Sequence, residues 1–377
     1  MDSYVDSALD CDNEHVESAH AAGLHYVTDE MPGIRRLPRG RGFSYVGTDG
    51  LPIRDRAELD RIRKLVIPPR WTDVWICPHA SGHLQVTARD ARGRKQYRYH
   101  PRYREIRDET KFGRMIAFSE VLPGIREHVE RDIARTELSR DKVLAVVVWL
   151  LEKTLIRVGK DAYARDNGSF GLTTLRRRHV AVSGSKLRFE FKGKSGVPHS
   201  VAVTDRRIAR IVQRCQELPG QELFQYLDDD GRRQSVDADD INQYLRQITG
   251  RQVTAKDFRT WAGTMLAATA LREIGPFDSE KQARANIVRA IDQVAKRLGN
   301  TRTICRKYYV HPVIVEAYMD GFILPPAEGE SGERVPAGGT GALRRDEVAV
   351  VQLLRERSKT EPIALARVES EELAGIG

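Results

Sequence analysis

The sequence predicts an α+β fold in which a small β-rich domain precedes a larger, mainly helical domain carrying a small antiparallel sheet. Short strand-like segments separated by turns dominate the first ~100 residues. From Arg102 onward the apolar residues follow helical spacing. Between Phe170 and Val203 this spacing gives way to strand-like segments with a tight turn among them.

The β-rich domain is predicted to span residues 33–105. A basic loop, Ile34–Phe43, leads into a strand at Phe43–Val46. A helix capped by Asp55 runs to Val66 and stops before two prolines. Further strands are expected at Val74–Cys77, His83–Thr87 and Gln96–His100.

The last of these strands alternates aromatic with polar and basic residues. Its period of two places Tyr97 and Tyr99 on one face, with Gln96 and Arg98 on the other. Such a face suits contact with a DNA groove, and half-buried packing of both tyrosines is the alternative.

The mainly helical domain is predicted to span residues 106–325. Helices are expected at Phe112–Leu122, Ile125–Arg135, Lys142–Arg157, Arg206–Leu218, Asp237–Thr249, Lys256–Ile274, Ser279–Leu298 and Pro312–Met319. The third of these is apolar on every side, which is typical of a buried helix. Strands are expected at Phe170–Leu175, His179–Val182, Leu187–Phe191 and His199–Val203.

A hairpin-like turn between the last two strands carries Lys194 at its tip. Gly193-Lys194-Ser195 resembles the end of a phosphate-binding loop, but the first glycine of that motif would fall at Arg188. A nucleotide hydrolase of that kind is therefore excluded.

Both ends of the chain are acidic. Residues 1–32 hold eight acidic residues and no Lys or Arg, and we expect a flexible arm there. Residues 326–377 are expected to form a flexible acidic tail, dispensable for activity, with one amphipathic helix at Arg344–Arg357.

Charge is distributed unevenly along the chain. The net charge is +9, while residues 1–32 carry −8 and residues 326–377 carry −3, so the segment between them carries +20. A body this basic indicates a polyanionic partner, for which nucleic acid is the leading candidate. A solvated basic surface without such a partner is the alternative.

The composition favours a cytoplasmic, nucleoid-associated protein. No apolar run approaches the ~18 residues of a membrane span, and no secretion signal is recognisable. Four scattered cysteines form no disulfide framework. Cys77, His79 and His83 lack a fourth ligand, so we expect no metal site there.

Two adjacent tyrosines, Tyr308 and Tyr309, lie beside Arg302, Arg306 and Lys307. A phenol with a pKa of ~10 is a poor nucleophile unless cations surround its target. The segment therefore suits a tyrosine that attacks a phosphodiester. A basic helix whose tyrosines only pack is the alternative.

Four scattered segments together resemble the type IB DNA topoisomerases, in particular the compact poxvirus-type branch and its bacterial relatives. Arg157 lies in Ile-Arg-Val-Gly-Lys, Lys194 in Phe-Lys-Gly-Lys and Arg259 in Lys-Asp-Phe-Arg-Thr. Tyr309 stands nine residues after Asn300. The resemblance covers roughly Arg35 to Leu324, and its order and spacing are more specific than any single motif.

The resemblance implies a tyrosine recombinase-like catalytic fold with Tyr309 as the nucleophile and Lys194 as the general acid. Arg157 and Arg259 would clamp the non-bridging phosphate oxygens, and Asn300 would donate to the same oxyanion. Viral members carry histidine at this last position, and we interpret Asn300 as the bacterial variant. The DNA contacts implied are Gln96, Tyr97, Tyr99, Lys160, Tyr163 and Lys256.

The expected function is relaxation of supercoils by a monomer that clamps duplex DNA, through a 3′-phosphotyrosyl intermediate. The tyrosyl ester preserves the energy of the broken bond, so neither ATP, another cofactor nor a metal is expected. A tyrosine recombinase shares this chemistry, although its amino-terminal half is usually helical. A DNA-binding protein that has lost catalysis is the remaining alternative.

Overall fold

The computed structural model describes residues 15–40, 42–228, 230–325 and 343–360. The chain divides into two compact units, Met1–Gly113 and Arg114–Gly377. This division and the predicted boundary at residue 105 both fall inside one long helix. Helices combine with small antiparallel sheets, which confirms the predicted α+β class.

The first unit is built on a five-stranded antiparallel sheet in the order β2-β1-β3-β4-β5. Its elements are the helix α1 (15–21), β1 (Ile34–Arg39), β2 (Gly42–Val46), α2 (Arg56–Lys64), β3 (Thr72–Ile76), β4 (Leu84–Arg89) and β5 (Lys95–Tyr99). Asp55 caps α2 as predicted, because its carboxylate accepts a hydrogen bond from the Ala57 amide. Ile62 of α2 packs into a core with Ile34 and Ile76 of the sheet.

The segment predicted to be a basic loop is strand β1. Its arginines suggested solvent exposure, but Arg36 is buried. The Arg36 guanidinium donates hydrogen bonds to the carbonyl oxygens of Ile67, Pro68 and Trp71. Because these carbonyls replace water, a basic residue can point inward from a strand.

The expectation of a mobile arm is wrong for residues 15–32. Ala19, Ala22 and Leu24 form a buried cluster with Tyr103. The backbone amide of Val27 donates to Nδ1 of buried His83 at 3.1 Å. A few apolar residues spaced along this acidic segment supply the packing. The overall acidic composition, on which the expectation rested, does not reflect them.

The second unit contains most of the helices. They are α3 (Pro101–Ile133, which begins in the first unit), α4 (Arg140–Thr154), α5 (Asp161–Asn167), α6 (Arg206–Glu217), α7 (Ala238–Thr249), α8 (Ala255–Ile274), α9 (Glu280–Leu298), α10 (Arg302–Tyr308), α11 (Pro312–Met319) and α12 (Arg345–Thr360). The sequence predicted two helices where α3 runs unbroken through Pro123. Phe118, Leu122, Ile125 and Val129 are buried at helical spacing on both sides of the proline, so one continuous stripe supports the whole helix.

Helix α4 is buried as predicted but ends earlier than expected. Its last residue is Thr154, and Leu155 adopts a left-handed conformation with φ 58°. The amide of Leu155 closes the helix on the carbonyl of Leu151. Arg157 therefore lies beyond the helix end.

A three-stranded antiparallel sheet contains β6 (Val180–Ser183), β7 (Lys186–Lys192) and β8 (Pro198–Thr204). The turn joining β7 to β8 carries Lys194, as predicted. The predicted strand Phe170–Leu175 is instead a short 3-10 turn at Leu172–Thr174. Thr174 Oγ1 accepts the Gly171 amide and closes this turn locally, so no strand partner is needed. Two further short strands, β9 (Gln225–Leu227) and β10 (Arg233–Ser235), pair with each other.

Helix α12 confirms the helix predicted near the carboxyl end, but it is not part of a flexible tail. Val350, Val351, Leu353 and Leu354 are buried, and α12 packs on α8 and α11. Glu347 of α12 forms an ion pair with Arg126 at 2.7 Å. Residues 326–342 and 361–377 of the predicted tail lie outside the described residues.

Among the described residues, no helix combines the length and the apolar character that crossing a bilayer requires.

Candidate active site

Tyr309 is the residue that ends α10, and α8 fixes its backbone. Its amide donates to the carbonyl of Cys305 at 2.9 Å, and the hydroxyl of Thr264 donates to the Tyr309 carbonyl at 3.3 Å. A Cβ atom on Gly263 would lie 2.4 Å from that same carbonyl oxygen. Only a glycine at this point of α8 lets the tyrosine backbone approach so closely.

Arg259, one helical turn before Gly263 on α8, lies against the Tyr309 ring. Its Cζ is 5.2 Å from the ring centroid. The guanidinium is nearly fully buried and donates to the carbonyl oxygens of Leu155 and Leu298, the latter at 2.9 Å. These are carbonyls at the ends of α4 and α9, so the arginine joins three helices at the tyrosine.

Arg157 reaches the site from the segment after α4. Its carbonyl accepts the Leu172 amide at 2.8 Å, which ties this segment to the 3-10 turn. Its Nη2 donates to Oδ1 of Asn300. The left-handed Leu155 redirects the chain at the end of α4, and Arg157 follows that change of direction.

Asn300 lies between the end of α9 and the start of α10. The N-cap of α10 is Thr301, whose hydroxyl accepts the Ile304 amide, so Asn300 is not the helix cap. Its side chain faces the Tyr309 phenol and Arg157 instead.

The electrostatic surroundings favour the ionised phenol. Burial alone would raise the pKa of Tyr309, but the positive charges of Arg259 and Arg157, together with hydrogen bonds from the side chains of Arg259 and Asn300, outweigh it and hold that pKa below its usual value. Burial, reinforced by the charge of Arg157, lowers the pKa of Arg259. The site therefore concentrates positive charge that a negative group would relieve.

Two buried donors in this site lack a matched acceptor. Among the described residues, neither Asn300 Nδ2 nor Arg259 Nε makes a hydrogen bond of ordinary geometry. The Tyr309 phenol is the nearby acceptor that both side chains face. A buried donor without a well-formed hydrogen bond costs about 1–3 kcal/mol, so a ligand that offers more acceptor oxygens would suit this pair of donors better. An anionic ester with free oxygens has that chemistry.

Lys194 is exposed on the β7–β8 turn. Across the described part of the chain, its side chain makes no hydrogen bond or ion pair, so no polar contact joins it to the other four candidates. The turn itself is held by the Gly193 amide, which donates to the Val197 carbonyl at 2.8 Å. Ser195 adopts φ 65° within it.

The candidate DNA contacts of the first unit lie on β5. Tyr97 is 49% exposed and stacks on Tyr99, with centroids 6.1 Å apart and planes within 5°. The predicted shared face is therefore confirmed, while contact with DNA stays a prediction. Gln96 donates to Asp90 at 3.0 Å.

The candidate DNA contacts of the second unit are also at the surface. Lys160 occupies the N-cap position of α5, and Tyr163 within α5 is 55% exposed. Lys256 is exposed in the first turn of α8. Their role toward DNA stays a prediction.

Sequence reasoning missed three residues around this site: Gly263, Thr264 and His199. A glycine inside a helical pattern costs ~1 kcal/mol relative to alanine and usually has a packing reason, which was the available signal for Gly263. Thr264 and His199 gave no such signal.

The described residues contain no group of three or more His, Cys, Asp or Glu side chains arranged to hold a metal ion.

Comparison with protein families gives two matches. Residues 100–322 match the model described as eukaryotic DNA topoisomerase I, catalytic core. Residues 42–90 match bacterial DNA topoisomerase IB, N-terminal domain. The first match covers all of α3 and the second unit as far as residue 322, so it leaves out α12. The second match lies within the first unit and covers β2 to β4.

Comparison with individual proteins finds viral relatives. DNA topoisomerase 1B of Acanthamoeba polyphaga mimivirus is 31% identical over 77% of this chain and 88% of its own length. DNA topoisomerase 1B of vaccinia virus (strain Copenhagen) is 23% identical over 71% of this chain and 83% of its own length. DNA topoisomerase 1 of rabbit fibroma virus is 23% identical over 68% and 80% respectively.

Proposed function

The chain belongs to the type IB DNA topoisomerase family, and on this premise we propose that it relaxes supercoiled duplex DNA through a transient bond between Tyr309 and a DNA strand. The enzyme acts as a monomer and resides in the cytoplasm with the nucleoid. One strand is nicked, the duplex rotates about the intact strand, and the nick is resealed.

In the cleavage step, the Tyr309 oxygen forms a bond to phosphorus while the bond from phosphorus to the 5′ oxygen breaks. The phenol loses its proton to solvent water, and Lys194 gives a proton to the departing 5′ oxygen. Religation reverses each transfer. One phosphate ester replaces another, so the step needs no oxidant, nucleotide or metal to balance it.

The observation that carries this proposal is the set of donors around the phenol. Arg157 and Arg259 supply positive charge, and the Asn300 Nδ2 and Arg259 Nε donors are not taken up by a backbone carbonyl of the described residues. Charge that develops on the non-bridging oxygens would be stabilised by donors already in place. The lowered pKa of Tyr309 favours the same attack from the nucleophile's side.

Lys194 lies on an exposed turn and not in the packed interior of the site. Its exposure in the structure suits a group that approaches the leaving oxygen when DNA is bound. Apo geometry often leaves a general acid distant from its target.

The basic body supports duplex DNA as the substrate. The segment between the acidic ends carries a net charge of +20. Aromatic and basic side chains are exposed at its surface, among them Tyr97, Lys160, Tyr163 and Lys256. We assign these, with Gln96 and Tyr99, to backbone and groove contacts.

The test is incubation with supercoiled plasmid in EDTA and without ATP. We expect a ladder of relaxed topoisomers from the wild type and none from Tyr309→Phe, with equal DNA binding in a mobility-shift assay. Strand exchange between two DNA sites would favour the tyrosine recombinase alternative. A mobility shift without relaxation would favour a DNA-binding protein that has lost catalysis.

A further inference from the structure

His199 lies between the lysine turn and the active-site loop. It is the second residue of β8 and pairs with Phe191 of β7. Its imidazole stacks on the Phe191 ring, with centroids 5.1 Å apart and planes within 7°. Phe191 is buried, so the stack fixes the plane of the imidazole.

Two glycines leave room for this ring. A Cβ atom on Gly193 would lie 2.5 Å from both Cδ2 and Nε2 of His199, and one on Gly299 would lie 2.6 Å from Cε1. Contacts this short do not occur in real structures, so a side chain at either position would displace the imidazole or the backbone. At Gly193 the reason for glycine is space alone, since its φ of −89° is open to any residue.

Each of these glycines immediately precedes a proposed catalytic residue. Gly193 is followed by Lys194, and Gly299 is followed by Asn300. Gly299 also ends α9 in a left-handed conformation with φ 60°. One imidazole therefore touches the backbone next to both the general acid and the oxyanion donor.

The charge state of the ring fits this position. Burial, and then the positive charges of Arg157 and Arg259, lower the pKa of His199, so the ring is neutral at neutral pH. A neutral ring fills the gap without adding a third positive charge. Within the described residues the two ring nitrogens make no hydrogen bond, so the His199 side chain contributes packing contacts.

We propose that His199 is a positioning residue that holds the Lys194 turn against the Gly299–Asn300 backbone and so sets both groups for cleavage. The proposal rests on the proposed roles of Lys194 and Asn300. His199 itself touches neither the nucleophile nor the leaving group in this account.

The first test is a double-mutant cycle on single-turnover cleavage. His199→Ala and Gly193→Ala should each slow cleavage, on the order of 10²-fold for a displacement of about 1 Å. In the His199→Ala background, Gly193→Ala should change the rate by no more than about twofold, because the ring it would strike is gone. If the double variant slows cleavage by the product of the two single-variant factors, the two sites act independently and the proposal is wrong.

The second test separates positioning from general loss of structure. A substrate with sulfur in place of the bridging 5′ oxygen leaves without a proton, so it should rescue Lys194→Ala and partly rescue His199→Ala. A structural defect would slow both substrates equally, and that result at His199 contradicts the proposal. His128→Ala, on α3, serves as a histidine control and should match the wild type on both substrates.

Failure of the general-acid role and failure of the His199 role give different experimental results. If Lys194→Ala is not rescued by sulfur, the general-acid role in the proposed function is wrong, and the His199 proposal is then judged on the double-mutant cycle alone. If Lys194→Ala is rescued and the cycle shows no coupling, the proposed function stands and the His199 proposal falls.

Discussion

At the scale of single residues, the oxygen and the nitrogen of the Asn300 amide differ in their hydrogen bonding. Its Oδ1 accepts from Arg157, while its Nδ2 is buried without an acceptor among the described residues. The amide therefore can orient one catalytic arginine and still donate to a phosphate oxygen. Thr301, not Asn300, caps the helix that leads to the tyrosine.

We predict that Asn300→Ala slows single-turnover cleavage by roughly 10²-fold, the low end for loss of an oxyanion donor. Arg157→Ala and Arg259→Ala should each cost more, because a charged fork is lost. Asn300→His should retain much of the activity, and Asn300→Ser little. High activity in the serine variant with low activity in the histidine variant would show that position 300 acts as a cap.

A second residue-scale prediction concerns Gly263. A methyl group there would collide with the Tyr309 carbonyl, so Gly263→Ala should shift the nucleophile and reduce cleavage on the order of 10²-fold. Binding of duplex DNA should be unchanged. Gly124→Ala is the matched control, since it is also within a helix and has open space around its Cβ position. Equal cleavage by the two variants would refute the steric role of Gly263.

The sequence could predict which side chains lie together around Tyr309, but not the residues that support them. Arg157, Arg259 and Tyr309 lie in short motifs whose residue types the chemistry demands. Gly263 lies against Tyr309, which follows it by 46 residues in the chain, and His199 lies against Gly299, which follows it by 100 residues. Such contacts exist only in the folded chain, so no local pattern reports them.

At the scale of elements, helix α12 shows how composition misleads. The carboxyl-terminal segment that contains this helix, residues 326–377, is net acidic and begins with a glycine-rich stretch, which predicted a flexible tail. Its buried face instead packs on α8, and Glu347 also accepts a hydrogen bond from the Trp261 indole at 3.3 Å. Trp261 is two residues from Arg259, so α12 supports the helix that holds the active site.

We predict that deleting residues 326–377 lowers the thermal stability of the second unit. Four apolar side chains of α12 become unavailable, each worth ~1.5–3 kcal/mol, and Arg126 loses Glu347 as a partner. The unfolding temperature should fall by on the order of 10 °C. Deleting only residues 361–377 leaves α12 intact and is the control. Identical melting of the two truncated proteins would contradict the packing of α12.

The first unit should show a pH dependence centred on His83. Burial, with a smaller contribution from the charge of His15, lowers the pKa of His83 to about 4, and its Nδ1 accepts the Val27 amide. Its ordinary value is 6.5, so the folded state favours the neutral ring. The resulting stability is complete above pH 6.5 and is lost as the pH falls toward 4.

This is checked by amide hydrogen exchange of β4 between pH 4 and 7. Protection should weaken more in the wild type than in His83→Gln, which keeps an acceptor but does not titrate. His20→Gln, at an exposed histidine, should behave as the wild type. Equal pH dependence in all three proteins would exclude His83 as the source.

At the scale of the whole molecule, charge and chemistry agree. The basic body between the acidic ends attracts a polyanion, and the active site within it concentrates two arginines around one phenol. The net charge could be read from the sequence. The packing of residues 15–32 and of α12 could not be read from the sequence in this way. It depends on a few apolar residues that lie within net acidic segments.

The central claim is that Tyr309 becomes covalently attached to DNA, and the most direct measurement is peptide mapping of the trapped adduct. The enzyme is incubated with nicked-site duplex DNA in EDTA, denatured and digested, and the DNA-linked peptide is sequenced by mass spectrometry. We predict a phosphotyrosyl bond at Tyr309 and to a 3′ phosphate, with no adduct from Tyr309→Phe. An adduct on Tyr308, on a 5′ phosphate, or persisting in Tyr309→Phe would contradict the account.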